Sequence, residues 1–295
     1  MRVFITGATG FIGSAVVREL IGAGHQVLGL CRSDDKAAAL AEAGAAVQRG
    51  SIEDLDTLKA AAARCEGVIH LAFNHDFSQF KANCEADRRV ITALGSALAG
   101  SRRPLIVTSG TGMSNVVPGE PAREDGPTIS SEVIPRAASE EAAAAIAATG
   151  VNVSVVRLPQ VHDTHKQGLI TPAIAIAREK GLSAYVGDGG NRWPAVHVLD
   201  AARLYRLALE RAEADCKYHA VAEQGVALRD IAETVGRRLG IPVKSITAQQ
   251  AEGHFGWLAM FATLDLPASS ELTQTKLNWH PSGPRLLADL ERLAL

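Results

Sequence analysis

The chain carries no large excess of either charge. Thirty Lys and Arg stand against thirty-two Asp and Glu, a formal net of −2. Nothing in that balance would hold nucleic acid or an anionic membrane surface. No apolar run is long enough to span a bilayer. The first residues lack the shape of a signal peptide, because glycines interrupt the apolar stretch. Cysteine is scarce: Cys31, Cys65, Cys84 and Cys216 are scattered, with no Cys-x-x-Cys pair. They read as reduced, mostly buried thiols of a cytoplasmic protein. Asn152-Val153-Ser154 has the form of a glycosylation acceptor, but it falls in an expected buried strand. Aromatics make up 4% of the chain, and there are only three tyrosines, Tyr185, Tyr205 and Tyr218. That scarcity limits where a phenol could do chemistry.

What is present reads as globular. Hydrophobic residues make up 47% and charged residues 21% of 295 positions, enough for a large core. The sharpest local signal is at the start. Val3-Phe4-Ile5-Thr6 fits a buried strand, Gly7-Ala8-Thr9-Gly10-Phe11-Ile12-Gly13 follows, and Ser14 to Leu20 continues as a helix. A strand, a glycine-rich turn and a helix form the unit that receives a dinucleotide pyrophosphate. Gly7 permits the turn, Gly10 the close approach of backbone to phosphate, and Gly13 close packing of helix on strand. The helix N-terminus offers unpaired N–H groups to the anion.

The first half then alternates. Strands are expected at 26–30, 46–49, 67–71, 104–108 and 151–156, with helices at 37–42, 54–65, 80–98 and 139–149 between them. That order predicts an α/β fold with a doubly wound parallel sheet. After Leu158-Pro159 the pattern loosens. A helix is expected over 173–180 and a short strand at 196–198. Asp200 reads as the N-cap of a helix over 201–211. Further helices are expected near 228–239, 248–264 and from Arg285. We read residues 1–163 as a Rossmann nucleotide-binding domain to which 191–222 return. Residues 164–190 and 223–295 read as a small mixed α/β C-terminal substrate lobe over the carboxyl edge of the sheet.

An NAD-preferring site usually has an acidic residue after its second strand. Here Leu30 and Cys31 occupy that place, followed by Arg32 and Ser33. A guanidinium and a hydroxyl suit a ribose 2′-phosphate, which favours NADP over NAD. The other reading makes Arg32 a solvated surface residue and lets Asp34 or Asp35 reach the ribose.

Several stretches together resemble the extended branch of the short-chain dehydrogenase/reductase superfamily, its NAD(P)-dependent epimerases and dehydratases. They are Thr6 to Gly13, Val68-Ile69-His70-Leu71-Ala72, Val107-Thr108-Ser109-Gly110-Thr111, Arg157-Leu158-Pro159, Val196 to Ala202, and Leu277-Asn278-Trp279-His280-Pro281. The resemblance implies that Gly7, Thr9, Gly10, Phe11, Ile12 and Gly13 hold the pyrophosphate. It places Ser51 and Ile52 beside the adenine, where the family often has Asp at the position of Ser51. Leu71, Ala72 and Phe73 would line the cofactor. Thr108, Ser109 and Thr111 stand where the family keeps a catalytic hydroxyl. Pro159, Val161 and His162 would meet the nicotinamide. A homodimer through two long helices is likewise implied by the resemblance alone.

One departure matters more than these matches. The family's Tyr-x-x-x-Lys dyad is missing, since no tyrosine has a lysine four residues on. At its expected place stand Arg136 and Glu140, which resembles the atypical members that keep the fold and lose the dyad. Arginine cannot give up a proton at neutral pH. The candidate catalytic residues are therefore Ser109, Thr111 and Arg136 to stabilise an oxyanion, and His75 or His162 to supply a proton. Arg136 and Glu140 read equally well as a surface i, i+4 ion pair. His162-Asp163-Thr164-His165 lacks a third metal ligand at a recognised spacing, so no metal is expected. Arg192, Trp193 and His197 are expected to border a small-molecule substrate. Phe255, Trp257 and Phe261 read as lobe core or a subunit contact rather than a ligand cage.

Three functions follow. The first is NADP-dependent hydride transfer to or from a small carbonyl or alcohol. The second is an epimerase or dehydratase that uses the nucleotide transiently. The third is a non-catalytic NADP(H)-sensing regulator.

Overall fold

The computed structural model describes residues 1–114 and 117–294. The first half runs β1 (Arg2–Thr6), α1 (Phe11–Gly22), β2 (Gln26–Cys31), α2 (Asp34–Glu42), β3 (Ala46–Arg49), α3 (Leu55–Ala63), β4 (Gly67–His70), α4 (Phe80–Leu98), β5 (Leu105–Gly110), α5 (Ala138–Ala147) and β6 (Val153–Leu158). It continues with β7 (Gln160–His162), α6 (Ile170–Lys180), β8 (Ser183–Val186), β9 (Arg192–His197), α7 (Val198–Arg211) and β10 (Lys217–His219). The chain ends with β11 (Glu223–Ala227), α8 (Leu228–Leu239), β12 (Val243–Ile246), α9 (Ala248–Phe255), α10 (Ala259–Ala262), α11 (Glu271–Leu277) and α12 (Leu286–Glu291).

Seven strands form one sheet in the order β10-β6-β5-β4-β1-β2-β3, every neighbouring pair parallel. Alternation along each strand loads its two faces. Val3, Ile5, Val27 and Cys31 point into one core with Val16, Leu20, Leu204 and Tyr205 of α1 and α7. Phe4, Leu28 and Leu30 point into the other with Leu58, Ile91 and Leu94 of α3 and α4. A sheet buried on both faces needs such near-continuous apolar strands. Because the strands are parallel, their carboxyl ends share one edge, and the loops that follow them meet there. Two smaller sheets lie beyond it: β11-β9-β7 and β12-β8.

The structure moves several expected boundaries. Asp200 does not cap α7. His197 does, accepting from the Leu199 N–H. The Asp200 carboxylate lies buried one turn further in and accepts the Ser282 and Gly283 N–H groups at 3.0 and 2.7 Å. With the Trp279 indole N–H donating to the Asp200 carbonyl, it fastens the C-terminal segment to α7. The single helix expected over 248–264 is broken at Gly256, whose φ of +55° lies outside helical geometry. The 196–198 strand is longer, pairs in a small sheet as β9, and leaves the seventh place in the large sheet to β10. Nothing periodic marks three-residue strands such as β7 and β10, so the pattern along the chain could not show them.

Candidate active site

At Gly7 and Gly13 the glycine-rich turn leaves no room for a side chain. A Cβ on Gly7, whose φ is +70°, would sit 2.7 Å from the Ala72 nitrogen, and one on Gly13 would overlap the Gly7 carbonyl oxygen. Gly10 caps α1 without any side-chain hydrogen bond. The first N–H groups of α1 therefore face an open, anion-favouring cradle, and a pyrophosphate fits it. The proposed cofactor residues that follow lie in the loops along the same sheet edge: Arg32 and Ser33 after β2, Ser51 and Ile52 after β3, Leu71, Ala72 and Phe73 after β4, and Pro159 after β6. Thr108 and Ser109 sit at the end of β5. Val161 and His162 belong to β7 and are buried. Arg32 is exposed and has no partner among the described residues, whereas Asp34 is paired with Arg49.

Behind the cradle runs a buried polar line. Thr6 Oγ1 accepts the Ala72 N–H at 3.3 Å and lies 2.6 Å from His70 Nδ1. His70 Nε2 lies 2.8 Å from Asp87 Oδ1. One proton arrangement satisfies them all: the Thr6 hydroxyl donates to Nδ1, and Nε2–H donates to Asp87. Asp87 Oδ2 accepts from the Ser139 hydroxyl and, at 2.9 Å, from Arg136 Nη1. Arg136 Nη1 also donates to Ser139, and Nη2 donates to the Thr108 carbonyl at 3.0 Å. Burial alone would raise the Asp87 carboxyl. His70, Arg136 and Ser139 outweigh it and hold the pKa down at about 2.

Arg136 and Glu140 do not pair with each other. Glu140 is buried and takes a bidentate bond from Arg157 at 2.8 and 2.7 Å. Arg157 Nη1 in turn lies 3.2 Å from His219 Nε2, and His219 Nδ1 lies 2.8 Å from the Ser269 carbonyl. Nδ1 must carry the proton, so Nε2 accepts from Arg157. Burial and the Arg157 charge push the His219 pKa down to about 4. A helix-surface ion pair is thus replaced by two internal ones, because Asp87 and Arg157 both lie within the core and need partners.

The remaining expected residues separate. Thr108 Oγ1 donates to the His70 carbonyl at 2.7 Å and shares a second bond with the Tyr205 hydroxyl. Tyr205 is fully buried, and burial raises its pKa. Ser109 Oγ lies against Glu140 and helps keep that carboxyl ionised, yet it makes no well-formed hydrogen bond. Thr111 is buried in the turn after β5. His75 stands beside Phe73, ring centroids 5.2 Å apart. The bulk around its ring, then the Arg136 charge, lower its pKa. His162 lies elsewhere, fully buried, with Nδ1 2.7 Å from Asp289 of α12 and its ring edge-on to His197. Among the described residues, no bond or ring contact joins it to Arg136. Trp193 is 2% exposed, packed among Ile170, Leu228 and Leu286. Arg192 is clamped by Asp265 through Nε and Nη2 at 3.1 and 2.8 Å, which compensates its charge. Among the described residues, no cluster of three or more His, Cys, Asp or Glu is placed to hold a metal.

Asp87, His70 and Ser139 were missed as site residues. One signal was available: Cys84, Asp87, Ile91, Leu94 and Leu98 fall at steps of three and four along α4. A lone carboxylate in such an apolar stripe demands a buried partner.

Seven parallel strands, a helix whose glycine N-cap brings no side chain, and loops gathered on one carboxyl edge define a Rossmann-type nucleotide-dependent enzyme. The model of the NAD dependent epimerase/dehydratase family matches residues 3–222, and the chain belongs to that family. It is an NAD(P)-dependent oxidoreductase or epimerase/dehydratase. It is 47% identical over 293 residues to the uncharacterized protein C2A9.02 of Schizosaccharomyces pombe, covering 98% of each. It is 45% identical over 294 residues to the uncharacterized protein YLL056C of Saccharomyces cerevisiae, again covering 98% of each. Among solved structures, it shares its fold with DesIV, the dTDP-glucose 4,6-dehydratase of Streptomyces venezuelae with NAD and TYD bound. That match has a TM-score of 0.79 at 20% identity, covering 99% of this chain and 95% of the other.

Proposed function

We propose that the chain is an NADP-dependent oxidoreductase that moves a hydride to or from a small carbonyl or alcohol, with Arg136, at the position usually held by tyrosine, as an oxyanion donor that keeps its proton. The observation that carries this is the fixed guanidinium at the sheet edge. Asp87, Ser139 and the Thr108 carbonyl hold three of its N–H groups, and Phe73 lies against its face at 4.1 Å. Its Nε–H and one Nη2–H have no partner among the described residues. They are available to an oxyanion in a partly dry site, where such donors act strongly.

The hydride would come from a nicotinamide held at the glycine turn. As the carbonyl carbon accepts it, the π electrons move to oxygen, and Arg136 stabilises the negative charge that develops there. Arg136 keeps its proton, so the alkoxide takes one from water. Asp87 and Ser139 position the guanidinium, and His70 and Thr6 position Asp87. The unpaired Arg32, with Asp34 already engaged by Arg49, supports NADP over NAD.

The test follows NADPH consumption over a panel of aldehydes and ketones, with deuterium transfer from 4-deuterated NADPH into the alcohol. Turnover with label in the product supports the reading. Tight NADPH binding with no turnover on any carbonyl overturns it and favours a nucleotide-sensing regulator.

A further inference from the structure

Aromatic side chains are few in this chain, yet they gather in one place. Of seven Phe, three Trp and three Tyr, five form one chain of ring contacts that ends on Arg136. Phe73, Phe77 and Phe80 come from the segment after β4, while Trp257 and Phe261 come from the lobe, on either side of the start of α10. Phe77 stacks on Trp257 with centroids 4.5 Å apart and planes 16° from parallel. Phe261 stands edge-on to both, at 6.2 and 6.3 Å. Phe80 backs Phe77 at 5.5 Å. From there Phe73 leads to the guanidinium.

A contact that served only to fasten the lobe would bury its largest ring. Trp193 and Trp279 show what that looks like, at 2% and 0% exposed, whereas Trp257 is 44% exposed. Met260, on the same lobe element, is 60% exposed. The Phe77–Trp257 stack is therefore a closed face-to-face pair with one ring exposed to solvent, linked to Arg136 through Phe80 and Phe73.

We propose that Phe77 and Trp257 form an aromatic subsite that receives a planar ring of the substrate, so that this enzyme acts on aryl or ring-conjugated carbonyl compounds. The assignment of the carbonyl rests on the oxidoreductase reading above. The subsite itself rests on the ring geometry. A planar ring that enters the stack opens one face-to-face contact and makes two, and an aliphatic ring of equal size cannot do the same.

Trp257 is the exposed tryptophan and therefore reports on its own site. The full-length protein is titrated with benzyl alcohol and, separately, with cyclohexylmethanol, and tryptophan emission is followed. Saturable quenching by the aromatic alcohol alone is the expected result. It is lost in Phe77→Leu and kept in Phe77→Tyr, which retains the ring. With NADPH, benzaldehyde should exceed cyclohexanecarbaldehyde in kcat/KM by about tenfold, chiefly through KM. Phe77→Leu should bring the two near parity. Equal quenching by both alcohols, or aromatic preference that survives Phe77→Leu, overturns the subsite even where NADPH is consumed. Aromatic quenching without NADPH consumption leaves the subsite standing and removes the oxidoreductase reading.

Discussion

Replacing Asp87 with asparagine removes one charge and almost no volume, and it tests the polar line at its centre. The wild-type carboxylate is ionised well below its ordinary range, at about 2 against 3.8 in the unfolded chain. A folded pKa below the unfolded one means that ionisation favours the folded state. The gain is complete above the unfolded value and is lost as pH falls toward the folded one. The shift corresponds to about 2 kcal/mol. Removing one partner of a buried ion pair typically costs about 3–5 kcal/mol, because the other charge is stranded. Asp87→Asn should therefore unfold at lower urea near pH 7, by an amount between those two figures. The distinctive result is pH dependence. From pH 5 to pH 2 the gap between wild type and Asp87→Asn should close by about 2 kcal/mol, since the wild type then loses what the variant never had. Urea unfolding of both proteins at several pH values reads this directly. Pairing Asp87→Asn with Arg136→Met should restore part of the loss, with a coupling of about 1–3 kcal/mol. A constant gap across that pH range, or strictly additive variants, would refute the buried Asp87–Arg136 pair.

Three further outcomes are expected. Arg136→Leu should lower kcat by about 10²–10³, with Arg136→Lys in between; equal kcat in steady-state assays of all three proteins would remove Arg136 from the chemistry. Arg32→Asp should weaken NADPH binding far more than NADH binding, as read by calorimetric titration of both nucleotides, and an unchanged preference would exclude Arg32 from the 2′-phosphate. His219 should titrate near pH 4 by NMR. Because its folded pKa is lowered from 6.5, it contributes about 3 kcal/mol of stability that is present above pH 6.5 and lost as pH falls toward 4. A His219 midpoint near 6.5 would contradict the Arg157–His219–Ser269 chain.

Much of the fold was legible because its signals are local. Apolar runs of four to six residues, separated by helices with apolar stripes, allow few arrangements other than a parallel doubly wound sheet. The helices at 80–98 and 228–239 begin and end as the pattern predicts. The short strands β7 and β10 were not legible, because three residues carry no period. The break at Gly256 was visible only as the second of two glycines, after Gly253, in a stretch that otherwise reads as one helix. At the site, the glycine turn shows in the sequence because backbone geometry itself demands glycine there. Arg136 could be placed opposite the family's tyrosine. Its partner could not, since Asp87 lies 49 positions away and nothing short of the fold brings them together.

The order of the residues by themselves determined the Rossmann unit, the anion cradle after β1, and the missing tyrosine–lysine dyad, since each is written within a few neighbouring positions. Only the tertiary structure decided that Arg136 answers to Asp87, that Glu140 answers to Arg157, that His162 faces Asp289, and that Phe77 meets Trp257. The reason is physical: a buried charge or an exposed ring takes whichever partner packing brings within reach, and that partner can lie anywhere along the chain.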